Sequence, residues 1–273
     1  MTWWHALILG LVEGITEYLP VSSTGHLIVT ERLLGIAGSP AANAFAICIQ
    51  SGAIAAVIGL YRGRIGAMAR GLAGRDAAGR RLLVAVMAAF VPAAVLGILL
   101  APVIERRLFG LWPVVEAWLA GGVVILVAAG RLHVGGSVRR ELEALTVPGA
   151  LVIGAAQCLA LWPGTSRSLV TILAALTLGL SVPAAVEFSF LLGVVTLGAA
   201  TVYQVAAAGP EMVASIGWVN LAIGFATATA SAAAAVTWLV GYLQRHGLAA
   251  FGWYRIAVGV AVAAMISAGL VSD

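Results

Sequence analysis

The residues able to do chemistry fall in two short polar cassettes. The first runs Glu13-Gly-Ile-Thr-Glu17-Tyr-Leu-Pro20-Val-Ser22-Ser23-Thr24-Gly25-His26, and the second Pro163-Gly164-Thr165-Ser166-Arg167-Ser168-Leu169-Val170-Thr171. Glu13 and Glu17 are four residues apart, which puts both carboxylates on one face of a helix. Like charges so placed favour a shared proton or a shared cation. Hard cations such as Mg²⁺ and Ca²⁺ are commonly held by one or two carboxylates plus substrate phosphates. The plainer reading is a solvated pair at a helix end. The rest of the first cassette is a Pro- and Gly-bounded loop leading into an apolar helix, where hydroxyls and free backbone N–H groups make an anion site. His26 is able to shuttle protons near neutral pH or to attack phosphorus itself; alternatively it is a packed ring, and Ser22 or Ser23 a simple helix cap.

The second cassette sets Arg167 among the hydroxyls of Thr165, Ser166 and Ser168 directly after a Pro-Gly turn. A guanidinium presents donors in a fixed fork that matches phosphate oxygens, although an ion pair with Glu13 or Glu17 would also explain it. Thr171, four residues on, lies on the same helical face as Arg167. No Gly-x-x-x-x-Gly-Lys-Ser/Thr loop supports nucleotide hydrolysis, and no Cys/His cluster suggests zinc.

The elements that position these groups belong in lipid. The 273 residues are 62% hydrophobic and 10% charged, with a mean hydropathy of +1.07, whereas soluble domains carry about 25% charged residues. Six apolar runs, near 41–60, 82–104, 112–130, 184–207, 216–241 and 251–271, approach the roughly 20 residues that span a bilayer core. Regions 3–35 and 147–180 are apolar but broken in the middle by the cassettes. Charged groups cost roughly 2.5–3.5 kcal/mol each at the centre of a membrane helix, and irregular backbone survives there only when protein or a water-filled cavity satisfies it. The two regions therefore read as re-entrant helix-loop-helix hairpins with chemistry at their tips.

An internal repeat is also visible, since 143 positions separate Pro20 from Pro163, Ser23 from Ser166, and the Pro40-Ala-Ala segment from Pro183-Ala-Ala. The expected fold is an all-α polytopic membrane protein of one integral domain, 1–273. Its repeat units cover about 1–130 and 147–273, each one hairpin plus three spans, inserted with inverted topology. All fifteen basic side chains are arginine. Arg62, Arg64, Arg70, Arg75, Arg80, Arg81, Arg131, Arg139, Arg140 and Arg245 fall in loops 61–81, 131–146 and 242–250. Only Arg106 and Arg107 lie in loops on the other side, and 208–215 carries none. The positive-inside rule makes the first set cytoplasmic and both termini external. No basic residue precedes Arg32, which predicts no cleavable signal peptide. Cys48 and Cys158 read as small packing residues. Glu187 and Gln50 read as cavity-lining or interhelical groups, Glu116 and Arg255 as snorkelling side chains near span ends, and Trp3, Trp4, Trp112, Trp218 and Trp253 as an interfacial belt.

The cassettes resemble those of the BacA/UppP family of undecaprenyl-diphosphate phosphatases. The family's Glu/Gln-x-x-x-Glu pair and Pro-x-Ser-Ser-Thr-Gly-His loop are matched by Glu13, Glu17 and 20–26. Its Pro-Gly-x-Ser-Arg-Ser-x-x-Thr motif is matched by 163–171. Gln50-Ser-Gly-Ala-Ile, Glu187-Phe-Ser-Phe-Leu-Leu and Phe251-Gly-Trp-Tyr-Arg-Ile also look like family segments. Leu169 stands where the family usually has Gly, and Gly193-Val194-Val195-Thr196 where it often has a Pro. The resemblance implies hydrolysis of undecaprenyl diphosphate to the monophosphate, recycling the lipid carrier of bacterial wall synthesis. It also implies a divalent cation, Mg or Ca, bacitracin resistance on overproduction, and residence in the bacterial inner membrane.

On this reading Arg167, with Ser22, Thr24, Ser166, Ser168, Thr171 and tip N–H groups, binds the diphosphate. Glu13 and Glu17 hold the cation, Glu17 also serving as a base. Ser23 is the expected nucleophile and His26 the proton shuttle, with His26 as the competing nucleophile. The partners are the polyprenyl diphosphate and membrane lipids, not nucleic acid, and a homodimer is among the open oligomeric states. The rival class is a polyprenyl-phosphate flippase, because interrupted helices in inverted repeats also build transporters.

Overall fold

In lipid each segment must satisfy its own backbone hydrogen bonds, so a chain this apolar is expected to be helical throughout. The computed structural model describes residues 1–37, 40–131 and 140–271. They form α1 (Trp3–Thr16), α2 (Ser23–Leu33), α3 (Pro40–Leu60), α4 (Arg62–Leu72), α5 (Ala77–Arg107), α6 (Leu111–Arg131), α7 (Val147–Gln157), α8 (Arg167–Thr177), α9 (Val182–Ile216), α10 (Trp218–His246) and α11 (Ala249–Ser267). Short 3₁₀ turns at Leu142–Ala144 and Cys158–Leu161 complete the described elements. Five helices contain stretches long and apolar enough to cross a membrane: Ala77–Ile104, Leu111–Gly130, Val182–Ala206, Trp218–His246 and Ala249–Ser267. In α3 the described apolar stretch is Cys48–Leu60. Composition and these helices together define a multi-pass membrane protein.

Three expected loops are largely helical, and of 242–250 only residues 247 and 248 lie outside α10 and α11. The arginine-bearing stretch 61–81 contains α4, which buries Met68 and Gly71. The stretch 208–215 continues α9 as far as Ile216. The break falls instead at Gly217, whose φ of +81° is open to glycine and strained for other residues. Of the expected loop 131–146, residues 132–139, with Arg139, lie outside the described residues. Near the arginine-rich end, Arg64 Nε donates to Glu187 at 2.6 Å and its Nη1 to Glu143 at 2.8 Å. Of the two roles expected for Glu187, it takes the interhelical one. The Arg64 guanidinium hydrogen-bonded to Glu143 holds that carboxyl below its ordinary range.

The cassette regions form two matching hairpins, α1–α2 and α7–α8, in register at an offset of 144 rather than 143. Thr2 and Thr146 cap α1 and α7. Ser22 and Ser166 cap α2 and α8, and Gly35 and Gly179 follow these helices at positive φ. Ser23 is therefore the counterpart of Arg167, each opening its helix. α1 and α3 pack on α10, α9 packs on α3 and α8, α7 on α5, and α6 on α11. This arrangement brings the two tips together inside the bundle.

Trp3, Trp112, Trp218 and Trp253 are exposed, as belt residues should be. Arg255 is not a snorkelling residue. It is fully buried, and its Nη2 donates to the Ala117 carbonyl at 2.7 Å and the Gly164 carbonyl at 2.8 Å, while Nη1 reaches Pro20 O at 3.4 Å. One guanidinium on α11 thus ties both tips to α6, because tip carbonyls without helical partners need donors. Arg255→Met should leave these carbonyls unpaired and destabilise the protein by about 3 kcal/mol, seen as a lower melting temperature in detergent. An unchanged melting temperature would remove Arg255 from the clamp.

Candidate active site

Each tip sets a serine at the start of a helix in an uncommon conformation. Ser22 has φ 74° and ψ 101°, Ser166 φ 75° and ψ 111°. Non-glycine residues there cost about 1–3 kcal/mol and cluster at functional sites. Each hydroxyl accepts from the backbone N–H three residues on, Gly25 for Ser22 and Leu169 for Ser166. The strained turn aims the first residue of each helix, Ser23 or Arg167, at the space between the tips.

There the first cassette meets the second. Ser23 Oγ donates to Glu17 Oε2 at 2.5 Å, and Arg167 Nη2 donates to Glu17 Oε1 at 3.2 Å. Glu17 therefore joins the hydroxyl to the guanidinium, and both acidic oxygens are engaged. Arg167 is fixed from behind by the Ser189 carbonyl, which accepts from Nη1 at 2.7 Å, and by the Tyr18 ring, 5.3 Å from the guanidinium carbon. Gly193 leaves room for it, since a Cβ there would stand 2.5 Å from that carbon.

A cavity of about 540 Å³ opens from this point. Glu17, Ser22, Ser23, Thr24, Ser166 and Arg167 line its polar end, joined by Gln50 and Gln157. The remaining wall is mostly apolar, from Phe90 to Ala101 on α5 and from Leu197 to Tyr203 on α9. Both stretches lie near the middles of α5 and α9.

Four expected site residues do not face this cavity. Ser168 is fully buried, donating to Leu19 O at 2.9 Å and pairing with Ser166 Oγ at 3.0 Å, so it joins one tip to the other. Thr171 does share a helix face with Arg167, but its hydroxyl donates to the Arg167 carbonyl at 2.8 Å and meets Ser189 Oγ at 2.7 Å, both within protein. His26 is turned towards α11. Its Nδ1 lies 2.7 Å from the Ser22 carbonyl and so must carry the proton, leaving Nε2 to accept from the Tyr254 hydroxyl at 2.8 Å. Glu13 is 1% exposed and lies against Glu17, with its Oε1 unpartnered.

That orphaned oxygen tests the expected cation. Two carboxylates beside one guanidinium in a buried place carry a net negative charge unless they share a proton, so the unpaired acidic oxygen calls for a proton or a cation. Among the described residues no three His, Cys, Asp or Glu side chains converge. A hard cation would therefore take further ligands from substrate phosphate and water, as Mg²⁺ does. The residues present fit such an ion.

Sequence reasoning missed Gln157, Ser189, Gly193, Tyr18 and Tyr254. Isolated polarity in an apolar run was the available signal for Gln157; the others are visible only as contacts. Leu169 is buried in the core and does not line the cavity, so this departure from the motif falls outside the cavity wall.

A helical membrane protein with a hydroxyl, a carboxylate and a guanidinium at the joined tips of two interrupted hairpins is a narrow class. The family model for bacitracin resistance protein BacA matches residues 6–261, and the chain belongs to that family. An undecaprenyl-diphosphatase of Sorangium cellulosum is 45% identical over 250 residues, covering 91% of this chain and 81% of its own. Undecaprenyl-diphosphatase 2 of Rhodospirillum rubrum is 45% identical over 268 residues, 98% and 96% of the two chains. An undecaprenyl-diphosphatase of Deinococcus radiodurans is 42% identical over 247 residues, 89% and 88%.

Proposed function

We propose that this chain hydrolyses undecaprenyl diphosphate to undecaprenyl phosphate and inorganic phosphate, returning the carrier lipid to bacterial cell-wall synthesis and conferring bacitracin resistance. The observation that carries the reading is the Ser23–Glu17–Arg167 chain of hydrogen bonds at the polar end of an otherwise apolar cavity. Such a cavity suits a charged headgroup on a long hydrocarbon. The names of the relatives point to the same substrate.

Phosphoryl transfer asks chiefly for positioning and charge stabilisation. The Arg167 guanidinium and the N-termini of α2 and α8 face the phosphate oxygens, and their positive ends favour an anion. Ser23 Oγ attacks the terminal phosphorus while its proton passes to Glu17. The bond from that phosphorus to the bridging oxygen breaks, and the lipid monophosphate leaves. Glu17 gives that proton up to the departing phosphate oxygen and is a free carboxylate again. Water then attacks the phosphoserine, Glu17 takes the water's proton and passes it to Ser23 Oγ, and inorganic phosphate departs. Ser23 is preferred over His26 because it lines the cavity and already donates to the base, whereas both ring nitrogens of His26 are engaged elsewhere. His26 instead steadies the Ser22 carbonyl next to the nucleophile.

Glu13 and Glu17 would hold a divalent cation, which when bound would neutralise diphosphate charge. Purified protein in detergent should release phosphate from the lipid diphosphate, and exhaustive chelation should suppress that release, with Mg²⁺ or Ca²⁺ restoring it. No phosphate release by the untreated protein would end the hydrolase reading. Activity that survives chelation would leave the two acids as proton-transfer or ion-pair groups.

The membrane arrangement we infer has six spans, α3 included, and two re-entrant hairpins in an inverted repeat. Arginine placement supports a site open to the periplasmic face. Cysteines introduced at Ser22 or Thr24, in a chain lacking Cys48 and Cys158, should react with an impermeant thiol reagent in intact cells. A cysteine at Arg75 should react only after lysis. The reverse labelling pattern would turn the site to the cytoplasm.

A further inference from the structure

One face of α9 carries a ladder of groups along the cavity. Ser189 O holds Arg167, Gly193 seats its guanidinium, and three residues further Thr196 donates from Oγ1 to Gln157 Oε1 at 3.4 Å. At a rise of about 1.5 Å per residue, Thr196 stands about one turn beyond the guanidinium seat, on the side where Leu197, Ala200 and Tyr203 continue the cavity wall. Gln157 ends α7, is 1% exposed and lines the cavity, yet its Nε2 has no hydrogen-bond partner. A buried amide nitrogen with two unused donors is costly unless something accepts from it. The Thr196 contact holds the carbonyl end of the amide, leaving the donor end free.

A lipid diphosphate offers two phosphates separated by one bridging oxygen. The phosphate to be released must lie against Ser23 and Arg167, so the phosphate that stays on the lipid falls next along the cavity, beside Gln157. We propose that Gln157 is a further substrate-binding residue, whose Nε2 donates to a non-bridging oxygen of the lipid-linked phosphate. The inference rests on the phosphatase reading for its assignment of the two phosphates. It makes the amide a contact for the lipid monophosphate product as well as for the substrate, and no contact for inorganic phosphate.

The test uses full-length protein in detergent with farnesyl diphosphate as substrate. Gln157→Met should raise KM for farnesyl diphosphate and the inhibition constant of farnesyl monophosphate by the same factor, about tenfold. The inhibition constant of orthophosphate should stay within about twofold of the parent value, since that ion occupies the Ser23–Arg167 end. Gln157→Glu, nearly isosteric but acidic, should do more damage than Gln157→Met. Thr196→Val, which frees the amide to turn, should move the same two constants in the same direction by about threefold, and it carries the test if the Gln157 variants fold poorly. A monophosphate constant that does not change, or an orthophosphate constant that rises as much, would overturn the proposal.

Binding of farnesyl monophosphate, followed by the fluorescence of Trp162 in the cavity wall, needs no turnover. Gln157-dependent binding in a protein that releases no phosphate would retire the hydrolase reading while keeping this contact. Phosphate release with monophosphate binding indifferent to Gln157 would do the reverse.

Discussion

Arg167→Ala should lower phosphate release by about three orders of magnitude, measured on detergent-purified protein that remains monodisperse. The size of the effect follows from how much the guanidinium does in one place. It faces the cavity, hydrogen-bonds Glu17, and sits fixed between the Ser189 carbonyl, the Tyr18 ring and the Gly193 backbone. Removing it withdraws charge from the transferring phosphate and leaves Glu17 without its cationic partner. Arg167→Lys should recover only part of the loss, because an ammonium cannot make both the Ser189 and Glu17 contacts and still present a fork to phosphate. Turnover of Arg167→Ala within a few-fold of the parent would take the residue out of the site. Gly193→Ala tests the same seat from outside, since its added methyl displaces the guanidinium without altering its chemistry.

Ser23→Ala should be at least as damaging, reducing turnover by about four orders of magnitude by analogy with the loss of other activated nucleophiles. Glu17→Gln should approach it, because the amide can neither accept the Ser23 proton nor pair ionically with Arg167. Glu13→Gln should cost less, since Glu13 reaches the cavity only through Glu17. His26→Gln separates the two candidate nucleophiles. An amide in place of the ring should loosen the link from Ser22 to Tyr254 and lower turnover about tenfold to a hundredfold, leaving the phosphoenzyme on Ser23. A phosphohistidine trapped at position 26, or a Ser23→Ala variant with near-parent turnover, would reverse the assignment.

What the sequence alone determined about this protein is its class, its helical composition and the two places where chemistry is concentrated. The reason is that lipid imposes a local rule: polar residues inside apolar runs stand out without knowledge of any contact. That rule exposed Glu13, Glu17, Ser23 and Arg167, and it located both interrupted hairpins.

Which polar groups face the cavity is set by the packing of the helices. Ser168 and Thr171 carry the same hydroxyl and lie in the same cassette as Ser166, yet they are used up between the tips and behind Arg167. Arg255 falls near a span end in the sequence and so read as snorkelling; the fold buries it because two tip loops converge on α11 with carbonyls needing donors. His26 follows the Ser-Ser-Thr-Gly motif but turns to Tyr254, more than two hundred residues later. Gln157, an isolated amide in an apolar run, lines the cavity with its Nε2 free because α9 presents Thr196 to its carbonyl. The register of the repeat moved by one residue for a related reason: identity matches pair like with like, whereas backbone geometry pairs positions, and it sets Ser23 opposite Arg167. Side-chain direction and long-range partners depend on packing between distant helices, which hydropathy does not encode.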